Sequence, residues 1–215
     1  MKIIIFGATG RTGRLLVQQA LDSGHEVTAA ARRPEAIQAH GPRLTKLRCD
    51  LFDAPATLEA VAGHECILSA IGASEPFGPT TVFSTGIKNI LAGARKAGVR
   101  RIIVLSSAAV DGHVILPLHI KLFANLIIKP LLFGLYVDSA RMEEILETAD
   151  CDWTIMHPPR LTNGRQTTDY RMAAGQHLAN LTSLSRADLA DCVLKLIADP
   201  SSYRTWVEVT GNASF

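Results

Sequence analysis

The 215-residue chain is poor in cysteine, and its four thiols, Cys49, Cys66, Cys151 and Cys192, stand far apart, with no C-x-x-C pair and no histidine at zinc-ligand spacing. That pattern excludes a disulfide framework and a structural metal, and it fits a reducing, cytoplasmic compartment. An excess of charge of one sign is also missing. Lys plus Arg number 22 against 20 Asp plus Glu, so nothing in the charge balance favours nucleic acid as a partner, and a small molecule is the partner expected. The opening apolar run ends at Gly7, too short for the core of an export signal. One long apolar stretch exists, residues 113–136, but it carries Lys121, Asn125 and Lys129 four residues apart. On a helix these form one narrow polar stripe, and two lysines in mid-bilayer are costly, so the stretch is expected to be a lid or a surface for homo-oligomer packing, with no transmembrane span.

What is present is a rhythm. Short apolar runs at 2–6, 26–31, 44–48, 66–70, 101–105, 153–156 and 206–209 alternate with amphipathic stretches at 12–23, 55–62, 80–97, 139–148 and 187–198. Most of the runs are apolar throughout, as in strands covered on both faces. Gly24, Gly63 and Gly98 follow three of the helical stretches, where a left-handed residue ends a helix. The pattern predicts an α/β fold: a Rossmann-type doubly wound parallel sheet in a single domain over 1–215, with helices on both faces. Two stretches break the rhythm, the apolar insert at 113–136 and a polar, irregular one at 160–184. The second reads as a long substrate-side loop over the carboxyl edge of the sheet.

Between the first strand and the first helix runs Gly7-Ala8-Thr9-Gly10-Arg11-Thr12-Gly13. Glycines in that context allow a tight turn and a close approach of backbone to a pyrophosphate, whose charge then meets the N–H groups and positive dipole end of the helix. The second strand ends in Ala31-Arg32-Arg33-Pro34, with no acidic residue to take hydrogen bonds from both ribose hydroxyls. Arg32 and Arg33 suit a 2′-phosphate instead, so NADP(H) is expected over NAD(H), with Arg11 as a further phosphate contact.

With G-x-x-G-x-x-G at 7–13, CDLFD at 49–53, SAIGA at 69–73, VLSSA at 104–108, DWTIMHPPRLTNG at 152–164 and SLSRADLADCVL at 183–194, nearly the whole chain resembles the atypical short-chain dehydrogenases/reductases. It is similar to the NAD(P)H-binding group that includes biliverdin-IXβ/flavin reductases and NmrA-like proteins. The resemblance implies that Asp50 and Leu51 flank the adenine, that Ala70, Ile71 and Gly72 line its ribose, and that Ser106 and Ser107 lie near the nicotinamide. Pro158 and Pro159 would wall the nicotinamide amide. The residues also admit plainer readings: Asp50 as a turn residue, Ser106 and Ser107 as a strand end, and Ser185 with Asp188 as a helix cap. His157 stands where the group commonly has an arginine and reads as a structural histidine.

The Y-x-x-x-K pair of the superfamily's central members is absent: Ala140 lies four residues after Tyr136 and Ala174 four after Tyr170. A simple ketone would then lack a tuned proton donor for its alkoxide, whereas a flavin, quinone or tetrapyrrole spreads the incoming charge. The expectation is therefore an NADPH-dependent oxidoreductase passing hydride to such a flat acceptor, with Ser106 or Ser107 as the catalytic groups. Two alternatives stand beside it: an NmrA-like dinucleotide sensor with little catalysis, and a carbonyl reductase using Tyr136.

Overall fold

The structure is a computed structural model that describes residues 1–73, 78–107 and 132–212. The apolar runs form the strands of one sheet: β1 (Lys2–Phe6), β2 (Glu26–Ala31), β3 (Leu44–Arg48), β4 (Cys66–Ser69), β5 (Arg101–Leu105), β6 (Asp152–His157) and β10 (Thr205–Gly211). Within the excursion at 160–184 lie three further strands, β7 (Leu161–Thr162), β8 (Tyr170–Ala174) and β9 (Leu184–Ser185). The main sheet runs β3-β2-β1-β4-β5-β6-β10-β8, parallel except for β8, which pairs antiparallel with β10; β7 and β9 form a separate parallel pair.

The helices are α1 (Arg11–Asp22), α2 (Ala54–Val61), α3 (Val82–Ala97), α4 (Phe133–Glu147) and α5 (Arg186–Leu196). Two cores result from the alternation of side chains along each strand. Ile3 and Ile5 of β1 face α1 and α5 through Leu16, Val17, Leu189 and Val193, while Ile4 and Phe6 face the other layer through Ile87, Ile90, Met142 and Leu146. This is a doubly wound α/β domain. Chain order reverses between β1 and β4, so the loops after these two strands diverge and leave a crevice at the carboxyl edge, where such sheets bind ligands.

Two expectations are corrected. The stretch 160–184 is not merely a loop, because β8 extends the sheet by one antiparallel edge strand. Its five residues alternate partly buried and exposed, the mark of a half-solvated edge, and are too short to stand out against a polar background. The side chains of α5 pin it: the Tyr170 hydroxyl donates to Asp191, and Lys195 reaches both Asp191 at 2.7 Å and the Tyr170 oxygen at 2.8 Å. The fourth helix begins at Phe133 rather than 139, so residues 133–136 of the apolar stretch are helical. Gly134 permits this, since a Cβ there would lie 2.1 Å from the carbonyl oxygen of Gly78. Lys121, Asn125 and Lys129 lie outside the described residues.

Two buried charged groups in this frame are richly hydrogen-bonded. Arg101, 5% exposed, has no carboxylate partner among the described residues and directs its guanidinium to the last turn of α5. It donates to the carbonyls of Leu196 and Ile197, to those of Asp152 and the hydroxyls of Thr154 and Ser202, with its face over Tyr203. A cation at a helix C-terminus is favoured by the dipole. Asp138 of α4 is fully buried and accepts from the Phe83 and Ser84 amides and the Ser84 hydroxyl, which caps α3 from a neighbouring helix.

Candidate active site

The turn after β1 is shaped by contacts that exclude any side chain. Gly7 has φ +75°, and a Cβ on it would lie 2.5 Å from the Ala70 carbonyl oxygen; one on Gly13 would lie 2.1 Å from the Gly7 oxygen. The backbone thus passes between β4 and α1 with no room to spare. Gly10 caps α1 with no side-chain hydrogen bond, leaving the first turn of the helix facing the crevice without a protein acceptor from the cap residue. Such a turn fits a pyrophosphate.

The crevice opens into a cleft of about 920 Å³ lined from the carboxyl ends of β1 to β6 and from four helices, α1, α3, α4 and α5. Of the residues singled out in the sequence, Gly7, Thr9, Gly10, Arg11, Thr12, Arg32, Asp50, Leu51, Ala70, Ile71, Gly72, Ser106, Ser107 and Pro158 line it. Gly13, Arg33 and Pro159 do not. Gly13 is buried under Gly7 and serves packing, and Arg33 is exposed at the start of a short 3-10 turn over Pro34–Ala36. Both arginines are exposed, and of the two only Arg32 borders the cleft.

The plainer readings of two motifs hold as well. The Asp50 carboxylate accepts from the Phe52 amide at 3.0 Å, shaping its own turn while facing the cleft, and Asn89 of α3 holds that turn through the Leu51 carbonyl at 2.7 Å. Ser185 caps α5 by accepting from the Asp188 amide at 2.9 Å. Burial opposes the charge on Asp188, but hydrogen bonds from the Ser185 hydroxyl, the Thr167 and Thr168 amides and the Thr167 hydroxyl outweigh it and hold the carboxyl below the usual aspartate range. The same carboxylate thereby fastens the 163–169 segment to α5.

At the far end of the cleft, three elements meet. Ser106, just past β5, donates its hydroxyl to Glu143 of α4, and the Glu143 carboxylate lies 3.2 Å through each oxygen from Nε2 of His157, at the end of β6. Glu143 and His157 are 8% and 1% exposed. The His157 ring stacks on Trp206 of β10, with ring centres 5.6 Å apart. His157 is thus structural in the sense expected, yet tied to the catalytic candidate. Glu143 was missed by the sequence reading. Its one local signal is position: it shares the buried seam of α4 with Met142 and Leu146, whereas Glu144 beside it is exposed.

Arg186 was also missed. It sits at the first position of α5 inside a motif that reads as a cap, lines the cleft, and donates to Asn163 at 2.7 Å. Burial first, and then the neighbouring Arg11 guanidinium, lowers its pKa, which marks two cations sharing one space. The tyrosines divide cleanly. Tyr170, beside Lys195, lies outside the cleft, and burial and the Asp191 carboxylate raise its pKa, the reverse of an activated donor. Tyr203 lies under Arg101. Tyr136 does line the cleft, but no lysine does so among the described residues. The thiols are inert: burial pushes Cys66 and Cys192 up to about 12 and Cys151 to about 11.

A family model described as NAD(P)H-binding matches residues 7–200. The chain belongs to this NAD(P)H-binding family. Among its relatives, an uncharacterized chloroplastic protein of Arabidopsis thaliana is 29% identical over 99% of this chain and 77% of its own length. An uncharacterized Bacillus subtilis protein, YwnB, is 24% identical over 93% of both chains. A wide-type short-chain dehydrogenase/reductase from Veillonella parvula, solved in complex with NADP, superposes with a TM-score of 0.80 at 22% identity, covering 99% of this chain and 95% of that one. The likeness in structure concerns the fold. No helix among the described residues is long and apolar enough to cross a membrane.

Proposed function

We propose that the protein is an NADPH-dependent reductase that passes hydride to a flat, delocalised acceptor such as a flavin, quinone or tetrapyrrole. The observation that carries this reading is the composition of the cleft: a glycine turn at one end, a serine hydroxyl at the other, no lysine among its described residues to tune Tyr136, and an apolar wall from Val82, Phe83, Leu132, Leu135 and Leu161. The reduced dinucleotide would supply two electrons and one hydrogen. The turn at Gly7–Thr12 would hold its pyrophosphate on the α1 terminus, with Arg11 and Arg186 adding positive charge. Arg32 would meet the 2′-phosphate, while Asp50 and Leu51 flank the adenine and Ala70, Ile71 and Gly72 border its ribose. Ser106, Ser107 and Pro158 would border the nicotinamide end, where the Ser106 hydroxyl donates to the reduced acceptor. An acceptor that spreads charge over fused rings needs no more acidic donor than this. The Veillonella neighbour with bound NADP supports the choice of cofactor, as does the arginine in place of an acid after β2.

The test is a titration of the purified protein with NADPH, followed by NADPH oxidation on FMN, menadione and biliverdin. Saturable binding and turnover on at least one acceptor are expected. Tight NADPH binding with none of the three reduced would favour the sensor reading. Because Tyr136 lines the cleft, a carbonyl reductase is the second reading. Tyr136→Phe should leave quinone or flavin reduction within about threefold of the parent, whereas loss of 100-fold or more, in the range of a general acid, would establish the tyrosine as donor.

A further inference from the structure

Resting on the reductase reading, we infer that the buried Glu143–His157 pair stores the proton that Ser106 delivers, so that these two side chains, which never touch the acceptor, set the rate of the protonation step. Three observations converge. Ser106 is the only one of the three that lines the cleft. Its hydroxyl donates to Glu143 Oε1, so a carboxylate stands behind it. His157 Nε2 reaches both carboxylate oxygens at 3.2 Å from a site almost sealed from solvent. A carboxylate in such a place is stable only with a proton or a cation beside it. An arginine at position 157 would satisfy the charge and never release its proton; histidine satisfies it and can.

The step balances as follows. The acceptor takes two electrons and one hydrogen from the reduced dinucleotide and becomes an anion. The Ser106 O–H bond breaks as the acceptor atom gains that proton, Glu143 Oε1 returns a proton to the serine oxygen, and His157 Nε2 supplies Oε1. His157 is left neutral. When the product leaves and water enters the cleft, one proton from water runs back through Ser106 and Glu143 to restore the imidazolium. The net reaction consumes one reduced dinucleotide, one acceptor and one proton from solvent. Other ionisable groups on this flank are otherwise engaged. Asp138 caps α3, and Glu208, the register partner of His157 on β10, accepts from the Leu178 amide and lies 3.6 Å from His177 Nδ1. Tyr136 lines the cleft one α4 turn before Ser139 and Ala140.

Glu143→Gln keeps the shape and a hydrogen bond to Ser106 but cannot pass a proton, and His157→Arg keeps the charge but will not give one up. Both variants and the parent are compared in NADPH dissociation constant, in kcat with FMN and menadione, and in the dependence of kcat on D2O fraction. Proton NMR of the cofactor-free proteins adds a readout that needs no turnover. Expected are NADPH affinities within twofold of the parent and kcat lower by ~10² in both variants, in the range of a general acid. The solvent isotope effect should change in both, from a curved dependence of kcat on D2O fraction in the parent, as when several protons move together, to a linear one, as when a single proton moves. A downfield imidazole N–H signal in the parent should vanish in Glu143→Gln and persist in Ser106→Ala. Variants that keep kcat within twofold and the same isotope effect, in a parent that turns over, overturn the relay and leave the reductase reading intact. A parent that reduces none of FMN, menadione and biliverdin overturns both. If His157→Arg fails to fold, the near-isosteric Glu143→Gln decides alone.

Discussion

The two ends of the cleft are built from different materials. At the β1 end, the site is made of backbone: Gly7, Gly10 and the first turn of α1 lie within seven residues, and their fit depends on the absence of side chains. At the β5–β6 end, it is made of side chains drawn together across the fold, Ser106 and Glu143 separated by 37 residues and Glu143 and His157 by 14. The first end is rigid because any added atom collides with main chain. The second is adjustable, since a carboxylate, an imidazole and a hydroxyl can exchange protons without moving their backbones. On the proposed reading, the dinucleotide's pyrophosphate falls to the end that cannot change, and proton chemistry to the end that can.

The contrast can be broken most severely at Gly7. Gly7→Val sets a β-branched side chain at φ +75°, with its Cβ 2.5 Å from a carbonyl oxygen. Strain and overlap together are expected to cost about 4 kcal/mol of stability and to abolish NADPH binding, read by thermal melting and fluorescence titration. Next in size, Asp138→Ala removes the acceptor of three buried donors where α4 meets α3. A loss of about 3 kcal/mol is expected, which for a domain of this size lowers Tm by roughly 10 °C, with NADPH affinity nearly unchanged because the glycine end is untouched.

Finer effects sharpen the comparison. Arg32→Ala is expected to weaken NADPH binding by about tenfold and NADH binding by little, the loss of one charge-assisted contact, whereas Arg33→Ala should change neither. Equilibrium titrations of the two nucleotides separate the cases. The smallest effect concerns acid. Asp188 has a folded pKa below its ordinary 3.8, so its contribution to stability is fully present above that value and fades as pH falls through the lower folded one. Denaturant midpoints measured from pH 5 down to pH 2.5 should decline less steeply in Asp188→Asn than in the parent.

Particular residues show how far the chain could be read in advance. Strands β1, β2, β4 and β5 were legible because a strand buried on both faces is mostly apolar, as these are, whereas β3, LTKLR, is a half-exposed edge strand with a leucine near each end. Strand β8 was hidden because an edge strand answers to one neighbour, and its pattern YRMAA is not distinctive. Gly7, Gly10 and Arg32 could be named since strand, turn and helix follow one another directly. Arg33 was named with its neighbour, and of the two only Arg32 borders the cleft. Glu143 and Arg186 escaped notice because each lies in a helix whose local signals concern packing or capping, and its partner is elsewhere.

The order of apolar runs and glycines by itself determined the doubly wound sheet and the glycine turn between its first strand and helix. Both follow from local rules: alternation of side chains, helix periodicity and the conformational freedom of glycine. Only the tertiary structure decided that Ser106, Glu143 and His157 meet at one end of the cleft, that Arg186 joins Arg11, and that Tyr136 rather than Tyr170 faces the site. The physical reason is distance. A hydrogen bond acts over about 3 Å, and no pattern along the chain records which residues the packing of helices on a sheet will bring within that range.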